Sequence, residues 1–361
     1  MHLQEFLRSG GTAADLSVSR AIVSRRHGLH PNLVLFKYSM IDSPMGDAIV
    51  RECRGVILDE TDNWNVVSRA FDKFFNHGEG HAAPIDWTTA RVQEKLDGSL
   101  VVVYSYRGDW HAATSGTPDA SGDVNGKGTF AKYFWGIFES MGGRLPDPSI
   151  FHESFKGLCF IFELMGPDNR IVVVHPEPTL RLLGARDSIS GEQFFPENFS
   201  SMVNIPAVRS CPLQSFEDIA ASFEHMSPLQ QEGYVVVDGS FNRVKVKHPG
   251  YLALHHAKDG MTSKTILEIA RSGETSEVVT AFPEFAPLLE KAKTQIDDLV
   301  ARINANFAAL KDIPEQKAFA QAALKTGVSP ALFALRSKKA PSARAFVASI
   351  TLESLERLLN P

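Results

Sequence analysis

Up to about residue 256, short apolar stretches of period two are separated by turn signals. The strand candidates are Gly55–Leu58, Leu100–Tyr106, Cys159–Leu164, Arg170–Val174, Leu180–Gly184, Gly233–Val237 and Arg243–Val246. Between them lie Arg107-Gly108-Asp109, Asn125-Gly126, Gly166-Pro167-Asp168-Asn169 and Asp238-Gly239, all turn formers. Helical spacing is clearest over Gly128–Ser140 and Phe216–His225. The mixture predicts an α+β body built on antiparallel sheets with flanking helices. After Lys258-Asp259-Gly260 the period changes: alanine, leucine, lysine and glutamate dominate, and apolar residues such as Leu288, Ile296, Leu299 and Ile303 recur at helical spacing. Pro283, Pro287, Pro314, Pro330 and Pro341 mark helix starts or breaks. The expected organisation is one domain over residues 1–257 and an all-helical domain over 258–361.

The bulk numbers narrow the class. The 361 residues are 43% hydrophobic and 22% charged with a net charge of −5, so any nucleic-acid surface must be a local basic patch. Cys53, Cys159 and Cys211 are too widely spaced for a zinc site or a disulfide framework. Neither a secretory leader nor an apolar run of membrane-spanning length is read, so a cytoplasmic protein with no membrane partner is expected.

The chemistry centres on Glu94-Lys95-Leu96-Asp97-Gly98-Ser99, which leads into a strand. A deprotonated lysine can attack phosphorus, Asp97 could bind a metal or orient the amine, and Gly98 permits a tight turn beside a bulky ligand. A solvated lysine in a surface turn fits that run equally well. Four other segments suit the same chemistry. Arg54 precedes a strand and could aim its fork at a phosphate. Around Lys73, extended chain puts Phe71, Lys73 and Phe75 on one face and Phe74 on the other. Period two sets Glu163 and Ile161 opposite Phe160, Phe162 and Leu164, so Glu163 could line a cleft, or pair with an arginine at a sheet edge. Lys245 and Lys247 point the same way from one strand, which costs repulsion unless a polyanion or carboxylates sit between the two cations, and Glu232 opens the preceding strand; a solvated edge strand with protective lysines fits the pattern as well. His77-Gly78-Glu79-Gly80-His81 has helical zinc spacing, but its glycines favour a loop. His255-His256 point apart in extended chain.

Taken in order, Glu52-Cys53-Arg54-Gly55, Lys73-Phe74-Phe75-Asn76, Lys95-Leu96-Asp97-Gly98-Ser99, Phe162-Glu163, Pro167 to Val172, Glu232-Gly233-Tyr234, and Lys245-Val246-Lys247 with Tyr251 and Leu254-His255 resemble the phage RNA ligase 1 family. These are ATP-dependent single-strand RNA ligases of the covalent lysyl-nucleotidyltransferase superfamily that act in tRNA repair. The resemblance runs from about residue 36 to 256 and implies roles. Lys95 would be the adenylylated nucleophile, with Asp97, Lys245 and Lys247 completing the catalytic set. Arg54, Lys73, Phe75, Glu94, Gly98, Glu163 and Glu232 would join Lys95, Lys245 and Lys247 in binding ATP. Glu163 would contact the ribose, and Glu232 and Asp97 would serve magnesium or manganese. Single-stranded RNA or broken tRNA ends would be the partners. One departure stands out: where the family's third motif often carries a basic residue, this chain reads Ala113-Thr114-Ser115-Gly116, and Lys127 and Lys132 are nearby in sequence. From Gln316 to Leu352 no acid occurs, while Lys317, Lys325, Arg336, Lys338, Lys339 and Arg344 do, which suggests an RNA-phosphate patch on the helical domain or a solvated helix face. A DNA nick ligase or GTP-using capping enzyme shares the lysine motif, but no oligonucleotide-binding barrel is read after the last lysine strand. An RNA-end binding protein without turnover is the non-enzymatic alternative.

Overall fold

The computed structural model describes residues 1–40, 42–148, 157–169, 171–251, 262–273, 275–281 and 285–359. Arg170, Leu254, His255, His256, Lys258-Asp259-Gly260 and Pro283, named above, lie outside these. Two compact units result: Met1–Ser39 with Ser43–His255, and Met40–Asp42 with His256–Pro361.

The first unit holds fourteen described strands, numbered in chain order, in three sheets. Sheet one is β1 (Ile22–Arg26), β2 (Leu33–Tyr38), β3 (Arg54–Asp59) and β4 (Asn65–Ser68) in sequence order. Sheet two runs β11 (Gln193–Phe194), β10 (Thr179–Asp187), β9 (Leu158–Met165), β7 (Ser99–Tyr106), β8 (Asp109–Thr114). Sheet three runs β12 (Ser210–Cys211), β6 (Arg91–Lys95), β13 (Gly233–Val237), β14 (Arg243–Lys247), β5 (Phe75–Asn76), and only β5 against β14 is parallel. The α+β expectation holds. Sheet two buries both faces: Phe160, Phe162 and Leu164 pack with Phe134 and Phe138 of the helix Phe130–Ser140, while Cys159 and Ile161 pack with Leu35 and Ile57 of sheet one.

One expected strand is absent. Ile171–Val174 forms no ladder, because the Val172 and Val173 N–H groups donate to Asp97 Oδ2 at 2.8 and 2.7 Å. A buried carboxylate, not a neighbouring strand, satisfies that backbone. The helix expected over Phe216–His225 is α-helical only to Ser222 and ends as a 3₁₀ turn. The His77–His81 segment is turn; His77 stacks on Phe216 at 3.7 Å and His81 meets Phe75.

The described part of the second unit from Thr262 onward is helical, with the 25-residue helix Ala286–Leu310 at its centre. That helix buries Leu289, Ala292, Ile296, Leu299 and Ile303, a stripe of helical spacing. Leu288, expected on the stripe, is exposed; the register runs one residue later. Pro287 and Pro330 sit in first turns, where no intrahelical N–H is lost.

Candidate active site

Strand register builds the site. Across sheet three, Lys95 of β6, Gly233 of β13 and Lys247 of β14 form one row. Gln93, Val235 and Lys245 form the next, and Arg91, Val237 and Arg243 the third. Opposed residues share a face. The intervening residues Val92, Tyr234, Val236 and Val244 pack into a core on the other face. That core fixes register, since a one-residue slip would bury the lysines and expose the valines. Gly233 leaves room in the lysine row: its φ is +147°, and a Cβ there would lie 2.2 Å from the Val246 carbonyl oxygen.

The polar face borders a cavity of about 250 Å³, whose far wall is Leu100, Glu163 and Leu183 of sheet two. Arg54, Phe71 and Phe74 also line it. Lys95 Nζ lies 2.5 Å from Glu232 Oε2, and Lys247 Nζ is 3.7 Å from Oε1 of the same carboxylate. Glu232 is buried, so one acid compensates two cations across the gap above Gly233. Burial pushes the Glu163 carboxyl up to about 8; Glu232 and Asp97 add to this, and Lys95 and Arg54 oppose it. Glu163 therefore favours its neutral form at pH 7 while keeping a surface on the cavity. Gly98 closes in on sheet two, where a Cβ would sit 2.3 Å from the Leu164 carbonyl oxygen.

Of the residues named from sequence, Lys95, Glu94, Gly98, Arg54, Glu163, Lys245 and Lys247 line this cavity, and Glu232 reaches it through its two lysines. The Glu94 carboxylate itself turns to Arg209, 3.4 Å away. Lys73 and Phe75 line a second recess of about 160 Å³ that shares Phe74 and Arg243 with the first. Phe74, set on the opposite face in the extended-chain reading, meets the Lys95 cavity together with Phe71, while Phe75 does not.

Asp97 stands apart from the metal and catalytic placement expected for it. It is 2% exposed; Oδ2 accepts from Val172 and Val173, and the Tyr251 hydroxyl donates to Oδ1 at 2.9 Å. A cation there would have to displace three hydrogen bonds in a dry site. Among the described residues no group of three or more His, Cys, Asp or Glu side chains is arranged to hold a metal. The donor set therefore fits a hard divalent ion only as a partner of Glu232 and of oxygens brought by a ligand.

Sequence reading missed Gln93 and Arg243 as site residues. Both follow from the period-two step back from Lys95 and Lys245. Gln93 Nε2 is buried without a partner, a donor available to a ring nitrogen or carbonyl of a ligand. Arg243 lies over Phe71 at 4.2 Å and donates to Gln193 Oε1 at 2.6 Å, with no carboxylate paired to it among the described residues. Burial, then Arg186 and Arg54, lower its proton affinity against the pull of Asp72 and Asp238; for a guanidinium that signals a partly compensated charge rather than loss of the proton. The acid-free stretch of the helical unit is thinner than it reads: Arg336 donates to the Ile313 and Pro314 carbonyls and stacks on Phe319, and Arg344 pairs with Asp297. Lys317, Lys325, Lys338 and Lys339 remain exposed.

The RNA ligase family profile matches residues 52–251, more than half of the chain and the whole cavity. This chain belongs to the phage-type RNA ligase family. It is 29% identical over 380 residues to an RNA ligase of Rhodothermus phage RM378, covering 87% of this chain and 84% of that protein. RNA ligase 1 of bacteriophage TS2126 is 28% identical over 238 residues, 62% of this chain and 56% of that protein. An archaeal ATP-dependent RNA ligase structure overlaps 90% of this chain and 89% of its own, with 17% identity and a TM-score of 0.49. Among the described residues no helix of this ligase is long and apolar enough to cross a membrane.

Proposed function

We propose that this RNA ligase joins RNA 5′-phosphate and 3′-hydroxyl ends at the expense of ATP, with Lys95 carrying AMP between steps. The observation that carries the reading is the lysine row: Lys95 shares one sheet face and one cavity with Lys245, Lys247 and Arg243. Lys95 Nζ, its proton passed to the hydrogen-bonded Glu232 carboxylate, attacks the α-phosphorus of ATP; the bond from that phosphorus to the α–β bridging oxygen breaks, and pyrophosphate leaves against Lys245 and Lys247. Glu232 holds the two amines apart, accepting a hydrogen bond from Lys95 and pairing with Lys247 at 3.7 Å, until the nucleotide arrives. The RNA 5′-phosphate oxygen then displaces Lys95 from the AMP phosphorus, and a 3′-hydroxyl finally displaces AMP to close the strand. Glu163 meets the ribose, and Gln93 with the apolar wall of Leu100, Leu183 and Val235 meets the base. Asp97 acts as a positioning residue: it ties the turn after Lys95 to residues 172–173 and Tyr251. Magnesium or manganese, held by phosphate oxygens and Glu232, supplies charge neutralisation on the phosphates when bound. Positioning and electrostatics account for catalysis. Residues 1–257 are read as the adenylyltransferase domain, and residues 258–361, with their exposed lysines, as a domain for RNA such as broken tRNA in a cytoplasmic repair setting.

The test is incubation with α-labelled ATP or GTP and magnesium. Covalent label arises from ATP and disappears in Lys95→Ala; no adduct, or one formed only from GTP, refutes the reading. Single-stranded RNA, nicked duplex and DNA offered in turn then define the acceptor.

A further inference from the structure

A second cation, Lys37, stands beside Arg54 on sheet one. Lys37 of β2 is in register with Arg54 of β3. That pairing exists because β3 carries a bulge: Phe36 opposes Val56, Lys37 opposes Arg54, and Gly55 is the extra residue, with φ +86°. The bulge places Arg54 and Lys37 side by side on one face, roughly 5 Å apart at Cβ by ladder geometry. It also seats the turn after β8 against them. A Cβ on Gly55 would lie 2.8 Å from Ser115 Cα, and a Cβ on Gly116 would lie 3.8 Å from Lys37 Nζ.

Neither cation sits in an ion pair, and Glu163 acts on Arg54 only at longer range across the cavity. Among the described residues no carboxylate pairs with Lys37 or Arg54. Arg54 Nη1 is buried without a hydrogen-bond partner. Burial, then Arg25 and Arg54, push the Lys37 amine below the usual lysine range, and no acid opposes them. Two adjacent, partly desolvated cations with an orphaned N–H are unfavourable as they stand and become favourable around an anion. Arg54 lines the Lys95 cavity, so the anion belongs to what enters there.

We propose that Lys37 and Arg54 together bind a phosphate group of a substrate, with Lys37 supplying from β2 the positive charge that the Ser115-Gly116 turn lacks. The inference rests on the ligase reading above. Lys127 and Lys132, closer in sequence to that turn, instead line a separate cleft with Glu177 and Pro178. The phosphate has two sources, the β and γ groups of ATP or the RNA 5′-end, and their chemistry at this pair is the same.

The experiment compares Lys37→Met, which keeps length and loses charge, with Lys37→Arg. Inorganic pyrophosphate affinity is measured by calorimetry on the full chain, and single-turnover rates are measured for adenylylation by ATP and for AMP transfer to a 5′-phosphate RNA. Lys37→Met lowers pyrophosphate affinity and adenylylation, or AMP transfer alone, by roughly 10- to 100-fold, the loss of one charge-assisted hydrogen bond. Lys37→Arg retains most of the rate. The first pattern assigns the pair to ATP, the second to the RNA end. Lys37→Met melts at or above the wild-type temperature, because removing it relieves repulsion. Lys37→Met within twofold of wild type in every measurement, or Lys37→Arg as impaired as Lys37→Met, overturns the proposal. A wild-type protein that forms no adduct defeats the ligase reading instead, and titrations of pyrophosphate and of 5′-phosphate RNA then decide Lys37, which loses its role if Lys37→Met binds both within twofold of wild type.

Discussion

Replacing Glu232 by glutamine removes one charge and almost no volume, and it strikes the point where the lysine row is held together. The carboxylate lies 2.5 Å from Lys95 Nζ and 3.7 Å from Lys247 Nζ, and the side chains of the three residues are 6%, 19% and 17% exposed. At an effective dielectric constant of about 20, these separations correspond to roughly 7 and 4 kcal/mol of gross attraction. Desolvation cancels much of that, and the net cost of breaking a buried pair is about 3–5 kcal/mol, mostly from the cations left uncompensated. Glu232→Gln should therefore lose about 3–5 kcal/mol in urea unfolding. In a double-mutant cycle with Lys95→Met, the second substitution should recover at least ~1.5 kcal/mol, because one of the two stranded cations is gone. Pyrophosphate at a hundredfold excess over its dissociation constant should return about 2.7 kcal/mol to Glu232→Gln by binding the native state. Stability of Glu232→Gln within ~0.5 kcal/mol of wild type, with an additive cycle, would show that Glu232 does not balance the two lysines.

Gly233→Ala should cost about 3 kcal/mol in the same urea assay, since its Cβ would collide with the Val246 carbonyl at 2.2 Å; a cost under ~1 kcal/mol would mean the two strands separate easily there. Glu163 has a carboxyl raised above its unfolded value of about 4.5 to about 8, so its contribution to stability is largest below pH 4.5 and is lost as pH rises through 8. Glu163→Gln, which mimics the neutral form, should thus raise the melting temperature by an amount that grows over that window and levels off above pH 8; a gain that does not vary with pH counts against the shift. His27 and His111 have lowered values, chiefly through burial, and His27 Nδ1 accepts from the Leu29 and His30 N–H groups. Their stabilisation is complete above the unfolded value near 6.5 and is lost as pH falls below it, so the melting temperature should drop from pH 7 to 5. His111→Phe should flatten part of that slope, and an unchanged slope would clear the histidines of it.

Much of this ligase is legible along the chain. Period two located the lysine strand, and with it the shared direction of Lys245 and Lys247, because a strand's side-chain geometry is local. The change of period pointed to helix for the same reason, and the described residues from Thr262 onward are helical. The resemblance carried by Lys95-Leu96-Asp97-Gly98 and the segments after it pointed to the family that the profile match then showed. Sequence could not place Asp97, because nothing in Leu96-Asp97-Gly98 says that two N–H groups about 75 residues away will take its oxygens. Nor could it say that Phe74 rather than Phe75 meets the cavity, since β5 is only two residues long and period two has too little strand to act on. Pairing across strands decided the remainder. Lys95, Gly233 and Lys247 are separated by 138 and 14 positions yet stand in one row, and Lys37 meets Arg54 only because a single extra glycine shifts β3 by one residue. Periodicity fixes which way a side chain points from its own strand; which charges then face each other depends on register between strands, and that is set by packing of the whole sheet.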